Sequence, residues 1–138
     1  MRLIFDASSI AETLIQRMED AADTLAGEST LDLAIYEMGN VVWKESRRRK
    51  RTQEETSTIM GHLEQVLSVM NIQRTQISDM KTIMGNATKF NLSFYDSSYL
   101  TAAKTLEGTL VTEDEQLRRA AKEAGYPCLS ANEVEKQP

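Results

Sequence analysis

Arg2-Leu-Ile-Phe-Asp-Ala-Ser-Ser-Ile10 is a short apolar run, stopped by an acid and followed at once by residues that open a helix. Leu3, Ile4 and Phe5 suit a buried strand. Ser8 or Ser9 is then the expected N-cap of a helix that carries Ile10, Leu14, Met18, Ala22 and Leu25 at helical spacing and closes at Gly27. The same grammar repeats downstream. Residues 30–33 suit a second strand, and Ile35, Met38, Val41 and Val42 mark an apolar helical face behind it. Residues 52–70 read as a long amphipathic helix, with Ile59, Leu63, Val66, Leu67 and Met70 on one stripe.

Residues 71–74 suit a third strand, and Ile77, Met80, Met84, Ala87 and Phe90 continue at helical period. A further helix is expected from Tyr95 or Asp96 to Leu106, with Tyr99, Ala102, Ala103 and Leu106 inward, stopped by Gly108. Residues 109–112 form the next β-rich run. Leu117, Ala120, Ala121 and Ala124 then give a helical face ended by Gly125, and 127–129 is the last expected strand. Strands alternating with helices imply parallel pairing through crossovers, hence an α/β sheet with helices on both faces. Sheets of this kind bind ligands beyond the carboxyl ends of their strands. Asp6 directly follows the first strand and Asp114 lies just past the fourth.

Composition narrows the classes. With 138 residues, 41% hydrophobic and 27% charged, the chain suits one globular domain, residues 1–138, rather than a fibrous or disordered protein. No apolar run approaches the roughly 18 residues that span a bilayer, so no membrane partner is expected and a cytoplasmic location is. The single cysteine, Cys128, cannot form an internal disulfide, and with the single histidine, His62, it offers no zinc site. One His and one Cys also leave little for nucleophilic triads. The formal charge is −5, yet residues 44–51 hold six of the sixteen Lys and Arg against one acid, Glu45. Nucleic-acid binding by an acidic protein would need this local patch or a bound cation.

Acids at strand ends beside apolar residues are costly unless compensated, and like charges nearby raise the cost further. A cluster of them suits a hard cation such as Mg²⁺ or Mn²⁺, which takes oxygen ligands and keeps several waters. Beside Asp6 and Asp114, the best-placed further acids are Glu37, after the second strand, and Asp96, at a helix start.

Four segments carry a resemblance. Phe5-Asp-Ala-Ser-Ser9, Tyr36-Glu-Met-Gly-Asn40, Phe94-Tyr-Asp-Ser-Ser-Tyr99 and Leu110-Val-Thr-Glu-Asp114, the last followed by Leu117, resemble in order the motifs of PIN domains, in particular the VapC-type toxin ribonucleases. The resemblance implies a three-layer α/β/α fold with a central, mainly parallel sheet of four or five strands. It implies that Asp6, Glu37, Asp96 and Asp114 are both catalytic and metal-ligating, holding one or two Mg²⁺ or Mn²⁺ ions that activate water for hydrolysis of RNA to 5′-phosphate and 3′-hydroxyl ends. Ser8, Asn40 and Thr112 map onto supporting hydroxyl and amide groups. The family also implies a homodimer and a small cognate antitoxin that docks across the site.

Other residues have plainer readings beside functional ones. Arg47, Arg48, Arg49, Lys50 and Arg51 suit RNA contact, antitoxin contact or a solvated helix end. Trp43 and Tyr36 are better suited to core or dimer packing than to base stacking, His62 to an ordinary helix position, and Cys128 to a small buried apolar role. Two other readings compete: a receiver-like Mg²⁺-binding signalling domain, and a catalytically silent interaction module. The first expects paired acids after the first strand, where this chain has Ala7 and Ser8, and a Lys after the last, where none occurs before Lys136.

Overall fold

In the computed structural model, which describes residues 2–134, five strands form one parallel sheet. They are β1 (Leu3–Phe5), β2 (Ser29–Leu31), β3 (Asn71–Gln73), β4 (Thr109–Val111) and β5 (Cys128–Leu129), in the order β3-β2-β1-β4-β5. Met1 and residues 135–138, part of the expected 1–138 domain, lie outside the described residues. Phe5 pairs with Val111 and Leu31 with Gln73, so the carboxyl ends of the four inner and neighbouring strands are aligned. The strand order fixes a switch point. From β1 the chain builds outward through β2 and β3, then returns to lay β4 and β5 on the other side, opening a crevice between β1 and β4.

Helices α1 (Ala7–Arg17), α2 (Ala21–Leu25), α3 (Leu33–Arg48), α4 (Gln53–Val69), α5 (Met80–Phe90), α6 (Phe94–Thr105), α7 (Glu115–Glu123) and α8 (Ala131–Val134) cover the sheet. Side chains alternate across a strand. Leu3 and Phe5 of β1 therefore enter one core with Ile10, Leu25, Met38, Leu63 and Val66 from α1 to α4. Ile4 enters the other, with Tyr99, Leu100, Ala103, Leu117 and Ala121 from α6 and α7. These two cores make the three-layer α/β/α arrangement that the sequence implies.

Local chemistry sets the helix ends. Thr52 and Glu55 form a reciprocal capping box at the start of α4, Thr52 Oγ1 accepting from the Glu55 amide at 3.1 Å. Gly108 is needed at the entry to β4 for closeness rather than for φ. A Cβ there would meet the side-chain tip of the fully buried Ile4 and lie 3.0 Å from the Arg2 carbonyl oxygen.

Several details differ from the sequence expectation. The first helix is capped by Asp6 rather than by Ser8 or Ser9, and it breaks at Met18, whose φ of 51° ends α1 before a short 3₁₀ turn and α2. In α5 the buried residues are Ile83 and Ala87, and Phe90 packs against the core that holds Tyr99 and Leu100, while Met80, Met84 and Ile77 in the 3₁₀ turn before α5 are exposed, Ile77 at 84%. Ala87 and Phe90 of the expected stripe face inward, whereas Ile83 takes the place of Met84 and the stripe's N-terminal members face solvent. Tyr36, 75% exposed, and Trp43 also stand in solvent on α3, so neither packs in the core of this chain. Among the described residues, no helix is long and apolar enough to cross a membrane.

Candidate active site

Every β-to-α junction of a parallel sheet delivers a helix N-terminus to the same edge. A helix preceding a parallel strand must start there as well. Asp6 and Asp114 are the N-caps of α1 and α7, Asp96 lies in the first turn of α6, and Glu37 in the second turn of α3. All four line one cavity of about 530 Å³ at the switch point.

Asp6 is the most constrained of them. Only 4% exposed, it accepts through Oδ1 from the Ser8 hydroxyl (2.7 Å), the Ser9 amide (2.9 Å) and the Ser9 hydroxyl (3.0 Å). Thr112 Oγ1 donates to its Oδ2. Burial pushes its pKa above the ordinary carboxylate value, and these hydrogen bonds to the ionised form offset part of that rise. Thr112 also accepts from the Asp114 amide (3.1 Å), so one buried hydroxyl joins the two strand-end acids. Asp114 Oδ1 caps the Leu117 amide at 2.8 Å, and Ser8 accepts from the Glu113 amide at 3.0 Å.

Glu37 Oε1 accepts from the Tyr99 hydroxyl at 2.8 Å. Its pKa is raised first by burial and then by the charges of Asp6 and Asp96, while the Tyr99 bond lowers it. Asp96 has its amide on the Ser93 hydroxyl (3.0 Å), and its pKa is raised by burial and then by Asp114 and Asp6. Glu37 feels the charges of Asp6 and Asp96, and Asp96 those of Asp114 and Asp6, so the four carboxylates share one electrostatic environment.

Ser8 and Thr112 are thus drawn into the site as the sequence suggested. Asn40 is not: it is exposed one turn beyond Glu37 on α3 and does not line the cavity, because the inward face of α3 at this level is taken by Met38, Val41 and Val42. Of the basic run, Arg48 and Arg49 pair with Glu45 (2.8 and 3.2 Å), and Arg47 lies over the Trp43 ring at 5.0 Å. Arg51 lines the cavity.

Sequence reasoning missed Ser9, Ser93 and the polar role of Tyr99. Tyr99 was read as an inward aromatic. A signal was available, since a buried phenol needs a partner and Tyr99 lies one helical turn beyond Asp96.

Carboxylates lining a common cavity are donors of the kind that a hard, partly hydrated cation takes. Among the described residues no three of the acids are drawn together closely enough, as they stand, to hold a metal ion. The fit rests on the donor set, four carboxylates on one cavity, which suits a hard cation that keeps part of its water shell. Covalent alternatives are weak here. His62 is exposed on α4, and burial pushes the Cys128 thiol up to about 11, leaving it protonated at neutral pH.

No family model matches the chain. The chain is 31% identical over 122 residues to Ribonuclease VapC3 of Pyrobaculum aerophilum, covering 85% of this chain and 92% of that protein. It is also 35% identical over 94 residues to Exonuclease VapC9 of the same organism, covering 68% of this chain and 67% of the relative. The crystal structure of PAE2754 from Pyrobaculum aerophilum superposes with a TM-score of 0.80 at 26% identity, covering 99% of this chain and 91% of that one.

Proposed function

The chain belongs to the VapC family of PIN-domain proteins, and on that premise we propose that it is a Mg²⁺- or Mn²⁺-dependent endoribonuclease, the toxin of a VapBC-like toxin–antitoxin pair. The observation that carries this reading is that Asp6, Glu37, Asp96 and Asp114, far apart in sequence, line the same cavity. The two relatives' names share nuclease activity. RNA is chosen because the relative named as a ribonuclease aligns over more of both chains.

When bound, the divalent ion supplies a water of lowered pKa and neutralises charge on the phosphate. The protein's own contribution is placement. Asp6, Glu37, Asp96 and Asp114 would supply the ligand oxygens. Ser8, Ser9 and Thr112 hold Asp6 in one rotamer, and Tyr99 holds Glu37 with one oxygen on its hydroxyl and the other free. The apolar wall of Leu14, Val42, Ile59 and Leu63 limits bulk water on one side of the acids. The proposed partners are RNA, a small cognate antitoxin and a second copy of the chain. Exposed Tyr36 and Trp43, seven residues apart on α3, are apolar surface that an assembly would cover.

The test is cleavage of a single-stranded RNA by the purified chain with Mg²⁺, with EDTA, and after Asp6→Asn or Asp96→Asn. Cleavage confined to the unsubstituted protein with metal supports the reading. Equal cleavage in all samples assigns the activity to a contaminant or another site.

A further inference from the structure

The cavity that holds the four acids is lined by a fifth carboxylate, Glu45, and, among the described residues lining it, by one cation: Arg51. Three other arginines of the basic run are otherwise engaged. Arg48 and Arg49 share the Glu45 carboxylate, and Arg47 stacks on Trp43. Arg51 is positioned by the end of α3. Its amide donates to the Ser46 carbonyl at 2.9 Å, and its Nη1 lies 3.4 Å from Ser46 Oγ. The preceding Lys50 takes a left-handed φ of 51°, which turns the chain back toward the cavity. Glu55 feels the charge of Arg51, but its carboxylate is already bound to the Thr52 amide at 2.9 Å. Among the described residues the guanidinium therefore keeps N–H groups free of any carboxylate at contact distance.

An acidic pocket in a chain of net charge −5 repels a polyanion. An ion held by the acids can offset charge at the phosphate being cut but not along the rest of the backbone. A guanidinium matches two phosphate oxygens with parallel hydrogen bonds. We infer that Arg51 is the RNA-backbone anchor of this site, binding a phosphate that flanks the scissile one, and that Arg47, Arg48 and Arg49 are not. This inference rests on the nuclease reading above and deepens it.

Binding of a fluorescently labelled single-stranded oligoribonucleotide is measured by anisotropy across a salt series, in an Asp96→Asn background with Mg²⁺. Steady-state cleavage is measured in the unsubstituted background. Arg51→Ala should weaken binding about tenfold, the range of a charge-assisted hydrogen bond. It should also lower the salt slope by about 0.7, the value for one phosphate contact on a single strand. KM should rise with kcat within about twofold, and Arg51→Lys should recover part of the loss while retaining the fold. The double variant Arg48→Ala, Arg49→Ala should lose less than Arg51→Ala although it removes two charges. An unchanged slope in Arg51→Ala, a loss in kcat without one in KM, or a larger loss in the double variant overturns the inference. If the unsubstituted chain cleaves no RNA with Mg²⁺ or Mn²⁺, the nuclease reading itself fails. If it does cleave and Arg51→Ala matches it, only the anchor fails.

Discussion

The Tyr99 hydroxyl donates to Glu37 Oε1 at 2.8 Å, joining α6 on one face of the sheet to α3 on the other, at the edge where Asp6 ends β1. Glu37 is the one acid of the four that is neither a cap nor in the first turn of its helix. Its orientation therefore depends on a partner from another layer. The bond also favours the ionised carboxylate, against burial and the charges of Asp6 and Asp96.

Tyr99→Phe keeps the ring and removes that donor. Glu37 should then ionise at higher pH, and the acidic limb of the kcat/KM profile for RNA cleavage should move upward. Losing one charge-assisted hydrogen bond should cost about 1–2 kcal/mol of stability, read by urea unfolding. A stability loss with an unmoved pH profile would make Tyr99 a packing residue only.

The raised carboxyls make the metal-free protein less stable as pH rises. Asp6, Glu37 and Asp96 each have a folded pKa above the ordinary 3.8 or 4.5, so the native state binds more protons than the unfolded chain between those values and the raised ones. Through that window stability falls with increasing pH. Glu45 and Glu55, whose pKa values are lowered by hydrogen bonds from Arg48 and from the Thr52 amide, act in the opposite sense at lower pH. The informative quantity is therefore the difference between native chain and Asp6→Asn. The variant, which can still cap α1, should show a flatter decline as pH rises above 3.8, the ordinary value for Asp6, and saturating Mg²⁺ should flatten the native curve likewise. Parallel curves in urea unfolding would contradict this.

Thr112→Val is nearly isosteric and deletes a fully buried hydroxyl. It leaves Asp6 Oδ2 without its donor and the Asp114 amide without its acceptor. The expected cost is about 1–3 kcal/mol in chemical denaturation, with cleavage reduced beyond what the unfolded fraction explains. Full activity in the folded variant would show that the two strand-end acids hold their positions without it.

The parallel sheet was legible because the strands are short apolar runs separated by helical patterns, and because Asp6 and Asp114 interrupt those runs where the carboxyl ends must be. Side-chain direction was harder to read. Spacing identifies a stripe but not its facing, which is why Met84 is exposed where Ile83 packs and why, of the core or dimer packing expected for Tyr36 and Trp43, the structure excludes only the core. Asp6 as a cap was obscured because its role requires extended backbone, ψ 177°, immediately beyond the strand. Asn40 was taken from a motif match, and in this helix the face at that level belongs to Met38, Val41 and Val42. The link between Tyr99 and Glu37 spans 62 positions, and no local pattern contains it.

The account rests on the acids acting together as the ligands of a hard cation. Its most direct test is Mn²⁺ binding followed by electron paramagnetic resonance, comparing the native chain with Asp6→Asn, Glu37→Gln, Asp96→Asn and Asp114→Asn, each shown to be folded. Saturable binding by the native protein, weakened in every one of the four variants, is the predicted result. Binding absent from the native chain, or unaffected by these substitutions, would contradict it.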